Sequence, residues 1–447
     1  MKKIFLLFIC LLLANFLTAQ NGKKKIPQKV KTKKSEQIQN IIIELKKNTG
    51  SSQDNLLNQL KNDFGIELIP VFEESDLKAL SNRVPLCREA VDSLTRFFRV
   101  NRCTFDSNTL AILTSKFKDY FARVDVYNAG NVNNASGTCN ANNSRYINDN
   151  YVIGMRLSHM AKGDSAYFSL IESGSYPSLN SCISSKLSQA EIHRPLRSRS
   201  SREKHADKTL GVFWANQSLA GCCGTRFGIV PDSKLRTFYS INDNLCHISP
   251  SDSNISVSRA LMQTLLVSNP GDIVLLEYDI YGQVAESVPE IQELIHIATH
   301  CLGVTVIEPA GNGNKHISVT EDSGAIVVGA AYKAPSGYTI FPNTNYGKRI
   351  DVYSLTNFKS IVPEQDMCGR YSCTSAASAV IAAMAVSLQS QYFKKNRKYL
   401  TPYQMRDLFR KVTRNIVSNP SSRGPLSTPK YLADGILLSN EVNAFIP

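Results

Sequence analysis

Four short stretches, at strand ends or loop exits, carry side chains of the types that nucleophilic hydrolysis needs. Leu170-Ile171-Glu172-Ser173-Gly174 ends an apolar strand with a carboxylate and a turn glycine. His205-Ala206-Asp207-Lys208-Thr209-Leu210-Gly211 opens a helix with a histidine. Pro309-Ala310-Gly311-Asn312-Gly313-Asn314 sets an amide on a tight turn, and Cys373-Thr374-Ser375-Ala376-Ala377-Ser378-Ala379 opens an apolar helix with a serine. A serine hydroxyl attacks at neutral pH only when a neighbouring base takes its proton, and an imidazole in that role needs an anionic acceptor to hold its tautomer. The oxyanion formed on attack needs donors already in place. Ser375, His205, Glu172 and Asn312 supply one group for each task. Singly they are ordinary, since a serine at a helix start usually caps it and an Asn beside glycines usually makes a turn. Their joint order carries the expectation.

Positioning such groups calls for a rigid frame. From about residue 151, short β-branched runs alternate with helical patterns, the signature of βα units around a mostly parallel sheet. The expected strands are 166–172, 234–239, 272–277, 304–307, 325–329 and 350–353. A helix over 289–301 has Ile291, Leu294, Ile295 and Ala298 on one face, and a helix over 378–391 is apolar nearly all round, as one at the centre of a domain must be. In an open sheet of this kind function lies at the carboxyl ends of the strands. Competing chemistries find less support. His296 and His300 share a helix face but lack the Glu of H-E-x-x-H and a third ligand, so no metal site is expected, and neither a G-x-S-x-G elbow nor a phosphate-binding G-x-x-x-x-G-K-[ST] loop occurs.

Together the four stretches resemble the subtilisin family of serine peptidases. The family's oxyanion turn, A-G-N-x-G, has its counterpart in Ala310-Gly311-Asn312-Gly313-Asn314, with Asn314 at the last glycine, and T-S-x-A-S of the nucleophile motif is intact in Thr374 to Ser378. The V-I-D-T-G motif has its counterpart in Leu170-Ile171-Glu172-Ser173-Gly174. The histidine motif keeps only His205 and Gly211, and Gly228-Ile229-Val230-Pro231-Asp232-Ser233-Lys234-Leu235 resembles the G-I-A-P-x-A-x-L that follows it. Residues 270–277 look like the strand flanking the substrate groove, and Asn345-Tyr346-Gly347 resembles the S-N-Y-G segment ahead of the serine. The resemblance runs from about residue 151 to the C-terminus. It implies an α/β fold with a doubly wound, mostly parallel sheet of subtilisin type. It further implies a secreted serine endopeptidase acting on polypeptides, with Ser375 as nucleophile, His205 as base, Glu172 in place of the family's Asp, and Asn312 with the Ser375 N–H at the oxyanion. A catalytically impaired scaffold or binding protein of the same fold is the alternative. The sequence departs from the family at Glu172, at Ala206 and Cys373, which replace glycines, and at Ala379, which replaces a proline. Calcium is common in the family, but no ligand set stands out here, and no cofactor is expected.

The rest of the chain fits an exported precursor. Lys2 and Lys3 precede an apolar run that closes at Leu17-Thr18-Ala19, the pattern of a cleaved signal peptide over 1–19. No later run reaches the roughly 18 uninterrupted apolar residues that a membrane span needs. A Lys-rich leader is expected over 20–53, a small α+β unit over 54–127, a linker over 128–144 and the catalytic domain over 145–447. The α+β unit resembles the family's inhibitory propeptide, which makes the chain's own N-terminal segment a partner. A secreted or periplasmic location and a monomer are expected. Ten cysteines follow the signal, an even number that favours disulfides outside the cytoplasm, and Cys368 and Cys373 are spaced to close a short loop. The chain of 447 residues has a formal charge of +14, and residues 1–50, with eleven Lys and only Glu36 and Glu44 opposing them, carry +9 of it. Loss of those residues on maturation removes most of the basic excess, so nucleic acid is not an expected partner.

Overall fold

The computed structural model describes residues 40–47, 53–100, 107–127, 160–173, 184–187, 191–193, 203–214, 228–241, 256–280, 282–319, 321–334, 337–362, 367–411, 413–415 and 431–444. The expected signal peptide and linker lie outside them.

The N-terminal unit comprises β1 (Asn40–Leu45), α1 (Gln53–Phe64), β2 (Leu68–Pro70), α2 (Glu74–Arg83), α3 (Arg88–Ser93), β3 (Phe97–Val100), α4 (Ser107–Lys116) and β4 (Phe121–Tyr127). Its strands form an antiparallel sheet in the order β2-β3-β1-β4. β1 lies inside the stretch expected to be a Lys-rich leader over 20–53, so the α+β unit begins at Asn40 rather than at residue 54. The physical reason is the alternation Ile41, Ile43, Leu45: all three are buried in one core with Leu56 and Leu60 of α1, Leu113 of α4 and Phe117 just after it. The lysines that dominate the composition lie mostly upstream of this strand.

The second unit is built on eight parallel strands: β5 (Tyr167–Ser173), β6 (Glu191–His193), β7 (Lys234–Ile241), β8 (Ile273–Glu277), β11 (Thr305–Pro309), β12 (Ile326–Ala334), β14 (Val352–Leu355) and β18 (Tyr431–Ala433). Their order is β6-β7-β5-β8-β11-β12-β14-β18. Antiparallel β13 (Gly337–Ile340) pairs with β12, and β17 (Thr413–Asn415) pairs with β18. Two short ladders, β9–β10 (Asp279–Ile280 with Gln283–Val284) and β15–β16 (Phe358–Val362 with Met367–Tyr371), stand outside the sheet. The helices in this unit are α5 (Ser184–Leu187), α6 (Glu203–Trp214), α7 (Val257–Val267), α8 (Pro289–His296), α9 (Cys373–Asn396), α10 (Pro402–Lys411) and α11 (Gly435–Ala444).

Central strands are covered on both faces, and every residue of β8 and β11 is buried, Glu277, Thr305 and Glu308 included. Phe168, Leu170, Ile273 and Leu275 face a core shared with α6 and α9, while Ile171, Val274 and Leu276 face one shared with α7 and α8. This is the doubly wound α/β architecture of subtilisin type. All six expected strands are present, within one to five residues at their ends. The expected helix over 289–301 is α8 continued by a π turn, Ile297–Cys301. The helix expected over 378–391 is longer at both ends, running as α9 from Cys373 to Asn396. Its apolar stretch is long enough to cross a membrane by length and composition, yet that stretch is entirely buried inside the protein.

The two units share one core. Leu80, Val84, Val91 and Leu94 join Leu261, Leu265 and Leu294 of α7 and α8. Arg83 donates to the carbonyls of Leu266, at 2.8 Å, and Ser268, and Gln263 donates to Asp76 Oδ2 at 2.7 Å. A disulfide joins Cys87, just before α3, to Cys301 at the end of the π turn, across 214 positions of sequence.

Candidate active site

Glu172 and Glu277 stand at the carboxyl ends of the neighbouring parallel strands β5 and β8, paired in register. Residues in register put their side chains on the same sheet face, and these two lie on the face that carries α9. Both are buried, at 1% and 2% exposure. His205, in the first turn of α6, brings Nδ1 to 2.9 Å from Glu172 Oε1, and its side chain keeps 26% exposure. One turn further along α6, Thr209 donates to Glu172 Oε2 at 3.2 Å. The same hydroxyl has the His205 carbonyl at 3.2 Å and the Tyr371 hydroxyl at 2.8 Å. The Tyr371 ring in turn meets the His205 ring edge-on, centroids 5.4 Å apart.

Charge follows from this burial. Desolvation pulls the His205 pKa down, but Glu172, and behind it Glu277, outweigh it and raise the imidazole above its ordinary value. Burial and repulsion from Glu172 push Glu277 up to about 8, against the opposing pull of His205, Ser375 and Ser378. Burial, then Glu277 and Glu172, drive Tyr371 well above its usual range, so it stays a neutral donor.

Asn312 sits on the turn after β11. Gly311 has φ of 87°, a left-handed conformation that suits glycine. Asn345 holds this turn from behind: it is fully buried, donates from Nδ2 to the carbonyls of Ala310, at 2.8 Å, and Gly282, and accepts on Oδ1 from the N–H groups of Gly313 and Lys315 at 3.1 and 2.9 Å. Asn312 Oδ1 accepts from both the N–H and the hydroxyl of Thr374 at 2.9 Å. That fixes the orientation of its carboxamide, with the donor nitrogen as the other end.

Ser375 lies in the first turn of α9, where backbone N–H groups have no partner within the helix and the helix dipole favours negative charge. It is 1% exposed, and its Oγ has no hydrogen-bond partner among the described residues. Cys373 opens the helix at φ of 70°, where the family motif has glycine; its carbonyl accepts from Thr356 at 2.8 Å. Cys373 is itself disulfide-bonded, to a partner outside the described side chains. Ser378, one turn on, has its Oγ 3.0 Å from Glu277 Oε2.

The structure thus joins Glu172 directly to His205, ties Asn312 to the residue before Ser375, and sets Ser375 beside Glu277; no hydrogen bond links His205 to Ser375. Thr209, Glu277, Asn345 and Tyr371 surround these groups without having been singled out from sequence as site residues. Glu277 carried a signal, a carboxylate ending an otherwise apolar strand as Glu172 does. Among the described residues no group of three or more His, Cys, Asp or Glu is arranged to hold a metal ion. His296 and His300 stack on each other, centroids 3.9 Å apart, with His300 Nε2 bonded to the Tyr403 hydroxyl.

No family model matches the chain, and no curated protein matches it. Solved structures do. Fervidolysin from Fervidobacterium pennivorans, a keratinolytic enzyme related to subtilisin, superposes with a TM-score of 0.56 at 11% identity over 90% of this chain and 61% of its own. The epidermin leader peptide processing serine protease of Staphylococcus aureus superposes with a TM-score of 0.52 at 11% identity over 92% of this chain and 100% of its own. The chain has a divergent subtilisin-like fold.

Proposed function

We propose, from this subtilisin-like fold as premise, that the protein is a serine endopeptidase acting on polypeptide substrates. Ser375 Oγ attacks the scissile carbonyl while His205 Nε2 takes the hydroxyl proton and passes it to the leaving amine; water then repeats the sequence on the acyl-enzyme. The Glu172 carboxylate holds the imidazole by Nδ1 and stabilises its cation. Asn312 and the Ser375 N–H receive the oxyanion. The observation that carries this reading is the 2.9 Å pair of Glu172 Oε1 and His205 Nδ1, which leaves Nε2 as the base. The His205–Ser375 hydrogen bond must form for turnover, and such bonds are often long in unliganded sites and tighten in the Michaelis complex. Export by the N-terminal signal and service of the N-terminal unit as the enzyme's own propeptide belong to the same proposal, as does a monomeric enzyme.

A fold retained without turnover is the second reading. It is favoured by the side chain of Cys373 in a left-handed conformation and by the unpartnered Ser375 Oγ. Fluorophosphonate labelling separates the two. The endopeptidase takes up label in the wild type and not in Ser375→Ala; absence of Ser375-dependent labelling in the folded protein, both intact and cut between Tyr127 and Met160, overturns the proposal.

A further inference from the structure

Glu277 is a buried carboxyl at the centre of the site for which the mechanism above has no task. Its register with Glu172 sets two carboxyls side by side under the N-terminus of α9. Two carboxylates this close and this buried do not both ionise at neutral pH. Ser378 Oγ lies 3.0 Å from Glu277 Oε2 and 3.0 Å from the Ser375 carbonyl, so it fills the space at Oε2 whichever of the two takes its hydrogen. His205 Nδ1, Glu277 Oε1 and Ser375 Oγ all lack a hydrogen-bond partner of good geometry among the described residues; Nδ1 has Glu172 Oε1 at 2.9 Å, and the Ser375 hydroxyl is close enough to act on the Glu277 carboxyl, which leaves Glu277 Oε1 and Ser375 Oγ to each other. Leaving both unpaired costs about 1–3 kcal/mol each, so a bond between them is the economical arrangement.

We propose that Glu277 is a positioning residue for the nucleophile: as the protonated member of a carboxyl pair with Glu172, it donates a hydrogen bond from Oε1 to Ser375 Oγ and so leaves the hydroxyl hydrogen of Ser375 for His205. The proposal rests on the endopeptidase reading. The groups facing Glu277 are Glu172 from β5, His205 from α6, Tyr371 from β16, and Ser375 and Ser378 from α9. Glu172 and burial keep the proton on Glu277 up to about pH 8, and Tyr371, itself neutral, does not displace it. Above that pH an ionised Glu277 accepts the Ser375 hydrogen instead and draws it away from His205. The pair therefore gives the nucleophile an alkaline limit that a histidine base alone does not impose.

The test follows fluorophosphonate labelling rate against pH in wild type, Glu277→Gln and Glu277→Leu, with difference infrared spectra of the carboxylic-acid C=O stretch in wild type, Glu277→Gln and Ser375→Ala. Wild-type labelling is expected to fall above about pH 8. Glu277→Gln, whose amide donates and cannot ionise, labels without that fall. Glu277→Leu labels roughly tenfold more slowly at neutral pH, the loss expected for one hydrogen bond. The infrared band is expected at pH 7, absent in Glu277→Gln and shifted in Ser375→Ala. An unchanged alkaline limb in Glu277→Gln, wild-type labelling in Glu277→Leu, or a band indifferent to Ser375→Ala overturns the proposal. A wild type that shows the Ser375-sensitive band but takes no label at any pH overturns the endopeptidase reading and leaves the Glu277–Ser375 bond standing.

Discussion

The backbone N–H of Asn345 donates to the carbonyl of Gly311 at 2.9 Å, and a Cβ built on Gly311 would come within 2.6 Å of Asn345 Nδ2. The turn that presents Asn312 is therefore moulded on a fully buried amide 33 positions further along the chain.

Removing that mould has two separable effects. Asn345→Ala strips partners from two carbonyls and two N–H groups, and each buried group left unsatisfied costs about 1–3 kcal/mol. Gly311→Ala adds both the clash and a left-handed Cβ, about 1–3 kcal/mol of backbone strain. Urea unfolding should show both losses. In Asn345→Ala, the Ser375 labelling rate is expected to fall further than stability does, because Asn312 loses its placement.

Asn312→Ala is expected to lower kcat by about 10²–10³-fold with KM little changed, the signature of a donor used mainly in the transition state. The same change takes the acceptor from Thr374, so a modest loss of stability accompanies it. Peptide-substrate kinetics at fixed pH measure the split.

The acid side of the pH profile belongs to His205. Its pKa is raised, so the base is deprotonated only above its ordinary value near 6.5, and the acid limb of labelling should lie correspondingly high. Glu172→Gln removes the strongest attraction holding the proton, and the limb should move to lower pH while the maximal rate falls. The sign for stability follows from linkage. A group with a raised folded pKa contributes stability that is fully present below its unfolded value and lost as pH rises through the folded one. Urea midpoints should therefore show that contribution in the wild type near pH 6, declining toward alkaline pH, and less of it in Glu172→Gln.

Cys87 and Cys301 join two units that a processing cut would otherwise part. A nick between Tyr127 and Met160 should give two bands on reducing gels and one on non-reducing gels. Replacing both cysteines with serine should cost about 2–4 kcal/mol and let the nicked N-terminal unit exchange with solvent. Two bands without reductant would show that the bridge does not form.

Strand ends were legible in the sequence wherever one polar group interrupts an apolar run, as at Glu172 after Leu170-Ile171 and at Asn312 after Ala310-Gly311. The buried helix was legible from its Ala, Val and Ile content, although its true start at Cys373 was hidden by polar residues that turn inward to a site rather than outward to water. β1 was missed because charge composition, averaged over 50 residues, concealed three alternating apolar side chains. Tyr371 and Thr209 were invisible for another reason: Thr209 reaches Glu172 from α6 and Tyr371 reaches Thr209 from β16, and only the folded chain brings the three together. The Cys87–Cys301 pairing has the same character, since spacing along the chain says nothing of a contact across 214 positions.

The central helix α9 imposes an order on assembly. It packs against β8, β11, β12 and β14, all earlier in the chain, and against α11 at the far C-terminus. An apolar segment of 24 residues gains its stability from those surroundings and has little outside them. A growing chain therefore holds Glu172, His205 and Asn312 long before it holds Ser375, and the serine takes its place only once the chain has been made through α11. Lateness of synthesis acts as a timer: for the proposed peptidase, a chain not yet extended through α11 has no seated nucleophile to turn on itself or its neighbours.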